Sequence, residues 1–160
     1  ALCGTCHFFP IFNGTVPPKF NKTEWEVIGV PGNADFNNSI MDLDSGRYLV
    51  YGKFLHQFAF KTPGVRNMNL TAPYMHNGVY SNLEDVVRFY NLGGGQGLGL
   101  DIQNQTLPFD SLTLNSIEIK QIVSFLGTLN DQKLNYFIPN YLPKIEDNKE
   151  LNARKVGGNY

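Results

Sequence analysis

The sequence begins with its only two cysteines, which stand in the segment CGTCH with Cys3, Cys6 and His7 in the pattern C-x-x-C-H. This pattern brings two thiols and an imidazole within one turn of chain, so the three groups are expected to act together. A redox-active cysteine pair, a zinc site and covalent attachment of haem can all use such groups. The residues around the motif decide between these three chemistries.

Covalent haem attachment is the chemistry that the surroundings of the motif favour. A redox C-x-x-C needs a strand before it and a helix after it, whereas only two residues precede Cys3 and Pro10 soon follows. A zinc site needs four ligands, and the remaining histidines, His56 and His76, lack the spacing of a zinc finger. In a c-type haem site the two thiols bind the vinyl groups and the adjacent His7 supplies the proximal nitrogen to iron. We therefore predict one covalently bound haem c.

Composition is compatible with a haem-binding domain and argues against two other classes of partner. A chain of 160 residues suits one domain, and 13% aromatic residues provide flat side chains for a cofactor wall. With 13 basic and 14 acidic residues and no basic block, we predict no nucleic-acid partner. No apolar run is long enough for a transmembrane segment. Because haem is attached to such motifs outside the cytoplasm, the predicted location is periplasmic or otherwise extracytoplasmic.

The position of the motif predicts a segment that this sequence does not contain. A C-x-x-C-H motif normally ends a helix whose apolar face packs on the haem, and two residues cannot form that helix. We therefore expect the chain to be the latter part of a larger protein, with haem surface left exposed in its absence. Residues 1–131 would form the haem domain without its N-terminal helix, and 132–160 an irregular C-terminal tail.

Two helices are predicted in the second half, after a long irregular loop over residues 8–60. The segment SNLEDVVRFYN pairs Ser81 with Glu84 as a capping box. It also carries one helical apolar stripe, formed by Leu83, Val86, Val87 and Tyr90.

The segment NSIEIKQIVSFLGTLN pairs Asn115 with Glu118 in the same way. Its predicted buried stripe consists of Ile119, Ile122, Val123, Leu126 and Leu129. Between the two helices, GGGQGLGLD follows a helix rather than a strand and does not match a nucleotide-binding loop. We expect its glycines to allow a turn or a close approach to a cofactor edge.

Several segments together resemble the C-terminal haem domain of the bacterial di-haem cytochrome c peroxidases and their MauG-like relatives. They are CGTCH, the run FKTPGVRNMNLTAPYMHNGVY, the helix with Tyr90, the run GGGQGLGLDIQNQTLPFD and the last helix. The resemblance extends to about Asp131 and implies a mainly α, cytochrome c-like haem domain with long irregular loops around the cofactor. In that family a second, N-terminal haem domain meets hydrogen peroxide, and the C-terminal haem relays or stores electrons. The implied partners are this second haem-bearing domain or chain and a small redox protein.

The resemblance assigns roles to individual residues of this sequence. It makes Cys3 and Cys6 the thioether residues and His7 the proximal iron ligand. Arg66 matches a family arginine near the haem, and its guanidinium suits a propionate.

Two further positions match a calcium site of the family. Thr71 and Pro73 stand where backbone carbonyls bind a calcium ion between the two haem domains, and oxygen ligands suit that ion. The remaining protein ligand would lie in the other domain, so the resemblance implies a calcium ion shared with a partner.

The sixth iron ligand is predicted to be Tyr90, with Met75 as the alternative. The position of Tyr90 is methionine in the peroxidases and tyrosine in the MauG-like enzymes. A phenolate favours ferric and higher states of iron, whereas a thioether favours ferrous iron. Met41 and Met68 are weaker candidates, and His76 is either a group that orients a ligand or a structural histidine.

Two functional classes are compatible with these features. The chain is either the electron-transfer part of a di-haem oxidoreductase that reduces peroxide, or a mono-haem electron carrier without catalysis of its own. A haem-stabilised binding module is the third possibility. The resemblance favours the first class, and no residue of this chain is assigned a catalytic role.

Overall fold

The structure, a computed structural model, describes residues 3–131 and 142–153. Five α-helices span Tyr48–Tyr51 (α1), Leu83–Asn91 (α2), Gly94–Gly97 (α3), Ser116–Thr128 (α4) and Lys149–Asn152 (α5). Two short strands, Trp25–Glu26 (β1) and Phe60–Lys61 (β2), form an antiparallel ladder. Only α2 and α4 exceed four residues, and most of the described chain is irregular. The expectation of a mainly α fold is therefore not confirmed, because the loops outweigh the helices.

The first long helix begins one residue later than its capping box predicted. Asn82, not Ser81, is the N-cap residue, and its side-chain oxygen accepts a hydrogen bond from the backbone N–H of Asp85. Asn is as good a cap as Ser. The stripe residues Leu83, Val86 and Val87 are buried, as predicted. Tyr80, just before the cap, is only 1% exposed.

The second long helix has the predicted cap but a less buried face than predicted. The Asn115 side chain accepts from the N–H of Glu118, and the Glu118 carboxylate accepts from the N–H of Asn115, which is a complete capping box. No residue within α4 is buried. The one buried residue of the predicted stripe is Leu129, which lies just past the end of the helix. Helix α4 thus lies across the surface of the core with its inner face half covered.

The main core lies beneath α2 and α4. Its buried members are five side chains of the turn before α2 and of α2 itself: Tyr74, Tyr80, Leu83, Val86 and Phe89. Phe89 is fully buried, and partly buried neighbours include Val123 and Leu126 of α4. A second, smaller cluster of Val27, Ala59 and Ile102 joins the irregular N-terminal part to the segment after α3.

The glycine-rich segment allows close approach between backbones rather than a turn alone. A Cβ on Gly95 would collide with the backbone of Gly29, and one on Gly93 with the backbone of Phe109. Gly93 also has a left-handed φ of 91°. The neighbours of these glycines in the structure are the backbones at Gly29 and Phe109. The expected approach of the glycine-rich segment to a cofactor edge stays a prediction.

The predicted loop over residues 8–60 is confirmed as largely irregular. Within it lie β1, α1 and one single-turn 3₁₀ segment, Phe54–His56. The predicted tail over 132–160 falls on described residues only at 142–153, where α5 forms, and its other residues lie outside the described part. In the described ranges, no helix combines the length and the apolar character that crossing a membrane would require.

Candidate haem site

The C-x-x-C-H motif forms a single 3₁₀ turn that leads directly into His7. The turn spans Cys3–Thr5, and the backbone N–H groups of Cys6 and His7 donate to the carbonyl of Cys3 at 3.3 and 2.8 Å. Cys3 is exposed and Cys6 is half-buried, and both are free thiols. The turn therefore presents the two thiols and the imidazole from one short, locally hydrogen-bonded segment.

His7 is oriented by a residue 56 positions further along the chain. Its Nδ1 lies 3.0 Å from the carbonyl oxygen of Pro63. A carbonyl can only accept, so Nδ1 carries the proton and Nε2 keeps its lone pair for a metal. Burial lowers the pKa of His7, against the opposing effect of the Pro63 hydrogen bond. At neutral pH the imidazole is thus held neutral and in the tautomer that binds iron through Nε2.

Pro63 is a site residue that sequence reasoning missed. It belongs to the segment KTPGVRN, which stands out in the sequence only through the family resemblance. The neighbouring Thr62 is 6% exposed, and its Oγ1 has no hydrogen-bond partner among the described residues. A buried hydroxyl without a partner is unusual, and this one belongs to the residue before the one that orients His7.

The carboxylates of Glu24 and Glu26 lie beside the second cysteine. One oxygen of each and the Sγ of Cys6 all lie within 4.8 Å of one another. Burial raises the pKa of the Cys6 thiol, and the charges of Glu26 and Glu24 add to this effect. Burial and the neighbouring Glu26 likewise raise the pKa of Glu24. The strand β1 therefore borders the thiols with acidic groups, and no sequence motif marked these residues.

Tyr90 lies on the side of the core that faces the motif. Burial is the main reason that its pKa is raised, and the nearby Cys3, Cys6 and Glu26 raise it further. The hydroxyl is therefore close enough to both thiols to sense their charge. Its ring also packs edge-on against the fully buried Phe89, at 5.4 Å between centroids. Helix α2 thus anchors the phenol next to the cysteine turn.

The methionines divide between the two clusters. Met75 and Met68 are partly buried and pack against the main core, where Tyr90 also packs. Met41 packs against the smaller cluster instead. The position of Met75 is compatible with its role as the alternative ligand, whereas Met41 belongs to another part of the molecule.

His76 turns away to pair with the N-terminal part of the chain. Its Nε2 lies 2.9 Å from Oδ2 of Asp42, and its ring stacks on Phe60 at 3.6 Å. Asn77 donates to the same carboxylate oxygen at 2.7 Å. These contacts are compatible with a structural histidine, and the choice between the two roles of His76 stays a prediction.

Arg66 is exposed and lies near the segment that follows the motif. Its Nη2 is 3.4 Å from the carbonyl oxygen of Pro10, and its guanidinium lies 5.6 Å from the ring centroid of Phe12. Phe12 in turn contacts Phe125 of α4 at 6.4 Å. The structure thus places Arg66 beside the motif segment, and its pairing with a propionate stays a prediction.

The predicted calcium ligands lie on an exposed turn. Thr71 and Pro73 are both exposed, and neither carbonyl oxygen accepts a hydrogen bond from within residues 3–131 and 142–153. Two carbonyls without a hydrogen-bond donor in these ranges are compatible with the predicted calcium site, which stays a prediction.

Known proteins share much of this sequence. The chain is 37% identical to the cytochrome-c peroxidase IdrP2 of Denitromonas iodatirespirans, over 89% of this chain and 40% of that protein. It is 31% identical to the methylamine utilization protein MauG of Methylorubrum extorquens, over 61% of this chain and 26% of that protein. No protein-family profile matches the sequence. The chain spans about two fifths of the length of the IdrP2 relatives.

A solved structure shares the fold. A MauG-like protein associated with microbial copper homeostasis superimposes with a TM-score of 0.63 at 23% identity, over 81% of this chain and 42% of that chain. The likeness is consistent with the expected cytochrome c-like architecture, although the helical content is lower than expected.

Proposed function

This chain is homologous, over most of its length, to the bacterial di-haem cytochrome c peroxidase and MauG family, and from that premise we propose that it is a haem c-binding electron-transfer domain. In this proposal Cys3 and Cys6 hold one haem through thioether bonds. The domain relays or stores electrons for an oxidoreductase that reduces hydrogen peroxide, and no residue of this chain acts on peroxide itself.

The hydrogen bond between His7 and Pro63 is the observation that supports this proposal most directly. It fixes the tautomer of the imidazole, with Nδ1 protonated and Nε2 free, immediately after two cysteines with free thiols, while burial lowers the pKa of His7 and keeps the ring neutral. A structural histidine has no need of a free Nε2, whereas a proximal ligand does. The bound haem would supply reversible one-electron chemistry at iron, and the chain supplies its orientation.

The residues around the motif fit a haem. The orphan hydroxyl of Thr62 belongs to the residue that precedes Pro63. Large apolar side chains near the motif, among them Phe9 and Ile11, are 75% and 41% exposed. A flat apolar cofactor would cover such side chains. Tyr90 would supply the distal ligand, with Met75 as the alternative, and Arg66 would pair with a propionate.

Calcium and the protein partners belong to the same proposal. Thr71 and Pro73 would offer their free carbonyls to a calcium ion shared with a second haem-bearing domain or chain. A small redox protein would exchange electrons with the assembly, in the periplasm or another extracytoplasmic compartment.

Covalent haem is tested by producing the chain in a host with haem c attachment machinery. After acid–acetone extraction, we expect haem to remain on the polypeptide and to give a pyridine haemochrome typical of two thioether links. The variant Cys3→Ser should shift that spectrum towards one thioether link, and Cys3→Ser with Cys6→Ser should release all haem. Ser111→Ala, an exposed site far from the motif in sequence, is the matched control. Wild-type protein that releases free haem would contradict the proposal.

A further inference from the structure

An arginine outside the proposed haem ligands is built into a surface cleft with no anion to neutralise it among the described residues. Arg47 lies between two aromatic rings, with its guanidinium carbon 4.2 Å from the ring centroid of Trp25 and 4.5 Å from that of Tyr51. Both distances are within the range of a cation–π contact. Both rings contact the guanidinium through its flat face, which leaves the N–H donors at its edge to bind a ligand.

The edge of this guanidinium lacks partners in the described part of the chain. Its Nε is buried and makes no hydrogen bond there, and no carboxylate of residues 3–131 or 142–153 forms an ion pair with Arg47. Asp44 lines the same cleft, but its Oδ1 accepts from the backbone N–H of Gly46 at 2.8 Å. Holding a cation with unsatisfied donors is costly unless a ligand binds it.

The backbone around Arg47 is fixed by its neighbours. The N–H of Arg47 donates to the carbonyl of Ala59 at 2.9 Å, and Gly46 forms a bridge with the same residue. Gly46 has a φ of +57°, and a Cβ there would lie 2.5 Å from the carbonyl oxygen of Ala59. The start of α1 can therefore lie close against the chain before β2 only because this residue is glycine. This close packing positions the arginine before any ligand arrives.

The cleft itself has room for a small organic group. It has a volume of about 440 Å³, and its walls are largely apolar, with Trp25, Val50, Ala59 and Phe60 beside Arg47. Ligand sites of this kind combine apolar walls with a few fixed polar groups. A planar carboxylate matches the edge of a guanidinium, with two parallel hydrogen bonds.

We propose that this cleft binds a carboxylate carried on an apolar body, with Arg47 as the anchoring cation. Such a carboxylate could come from two sources. The first is an external one, a free organic acid or an exposed protein carboxyl group, and the second is a propionate of the bound haem. The strand β1 connects the two regions, because Glu24 and Glu26 flank Trp25 and lie beside Cys6.

The test uses the full haem-loaded chain and phenylacetate as the probe, with the neutral phenylacetamide as its matched control. Trp25 is the only tryptophan of the sequence, so its single indole N–H resonance reports directly on the cleft. We expect phenylacetate to shift that resonance and to bind at least about tenfold more tightly than phenylacetamide, as charge-assisted hydrogen bonds imply. Arg47→Met should lose the preference, Arg47→Lys should keep part of it, and the exposed Lys120→Met should keep it fully.

The haem source predicts a different pattern. If a propionate occupies Arg47, wild-type protein will not bind phenylacetate, and Arg47→Met will shift the haem reduction potential more than Lys120→Met does. Equal binding of phenylacetate and phenylacetamide to wild-type protein would overturn the proposal, and so would the absence of both binding and a potential shift. Haem content, measured on the same samples, separates these outcomes from a failure of haem attachment.

Discussion

The two halves of this molecule differ in how much of their stability comes from their own buried core. The part around α2 and α4 has a core of its own, in which Phe89 and Tyr80 are at most 1% exposed. The part from the motif to Arg66 is mostly loop and shares in the smaller buried cluster, through Val27 and Ala59. It leaves buried polar atoms of Arg47 and Thr62 without partners in the described chain, against one such atom, on Asn130, beside α4. The difference indicates that one half is held by its own packing and that the other half depends on what it binds.

Removal of the haem gives the largest expected effect on this comparison. In the double variant Cys3→Ser, Cys6→Ser, hydrogen exchange should accelerate by on the order of 100-fold over residues 8–66, because the proposed cofactor no longer ties these loops together. Helix α2 should keep most of its protection. Equal acceleration in both halves would show that they form one cooperative unit.

A cavity in the helical core should cause the next largest effect, a loss of unfolding free energy. Phe89→Ala removes a fully buried ring and should lower the free energy of unfolding of the haem-loaded protein by about 3–5 kcal/mol. The matched variant Phe54→Ala removes a ring that is 55% exposed in the loop half and should cost less than about 1 kcal/mol. Denaturant unfolding followed by circular dichroism measures both. Similar losses in the two variants would contradict the division into halves.

The proposed contact between α2 and the haem can be tested by its effect on the iron. Tyr90→Phe removes the proposed phenolate ligand, which would stabilise ferric iron, and should raise the reduction potential by on the order of 100 mV, part of the roughly 0.8 V that axial ligands control. That shift corresponds to about 2 kcal/mol for one electron. Met75→Leu should change the potential little. A sulfur–iron charge-transfer band that is lost in Met75→Leu and kept in Tyr90→Phe would reverse the assignment.

The polar contact that joins the two halves should have the smallest effect and a defined pH dependence. Burial of Asp42 opposes its ionisation, but hydrogen bonds from Asp44, Asn77 and His76 outweigh it and lower the pKa of this carboxyl below the ordinary 3.8. A carboxyl with a lowered folded pKa stabilises the protein above the unfolded pKa, and this stabilisation is lost as the pH falls through the folded pKa. Asp42→Asn should therefore cost about 1–2 kcal/mol at pH 7.

That cost should shrink as the pH falls below 3.8, the pKa of the unfolded carboxyl. Unfolding free energies of wild type and variant, measured from neutral to acidic pH, provide the check. Asp110→Asn is the matched control, since Asp110 is an exposed carboxyl in a loop. A difference between wild type and Asp42→Asn that stays constant with pH would contradict the role of the Asp42 charge.

Local sequence signals predicted the helical half well. The capping box of α4 and the apolar stripe of α2 depend on neighbours three or four positions away, so the sequence shows them directly. The one-residue error at the start of α2 arose because Ser81 and Asn82 are both good caps. The half-exposed inner face of α4 was not predictable. The apolar stripe shows which side of the helix faces inward, but the degree of burial depends on how much of the rest of the chain packs against that side.

The loop half was predicted as a loop but not in its contacts. Pro63 orients His7, and Asp42 pairs with His76, through separations of 56 and 34 residues. No periodicity connects such positions, and a proline carbonyl carries no signal in its residue type. The roles of Cys3, Cys6, Tyr90, Thr71 and Pro73 remain predictions that rest on the motif and on the family resemblance.

The bond from His7 to Pro63 also sets an order of events during synthesis and folding. The ring at the start of the sequence cannot be fixed until the chain has been made as far as Pro63, and closing so long a loop carries an entropic penalty that local structure does not share. The cysteine turn, by contrast, closes through contacts within five residues and leaves Cys3 accessible. The thiols can therefore be modified while the imidazole is still unoriented. Attachment of the proposed haem therefore does not require the contact with Pro63, which orients the imidazole in the folded chain.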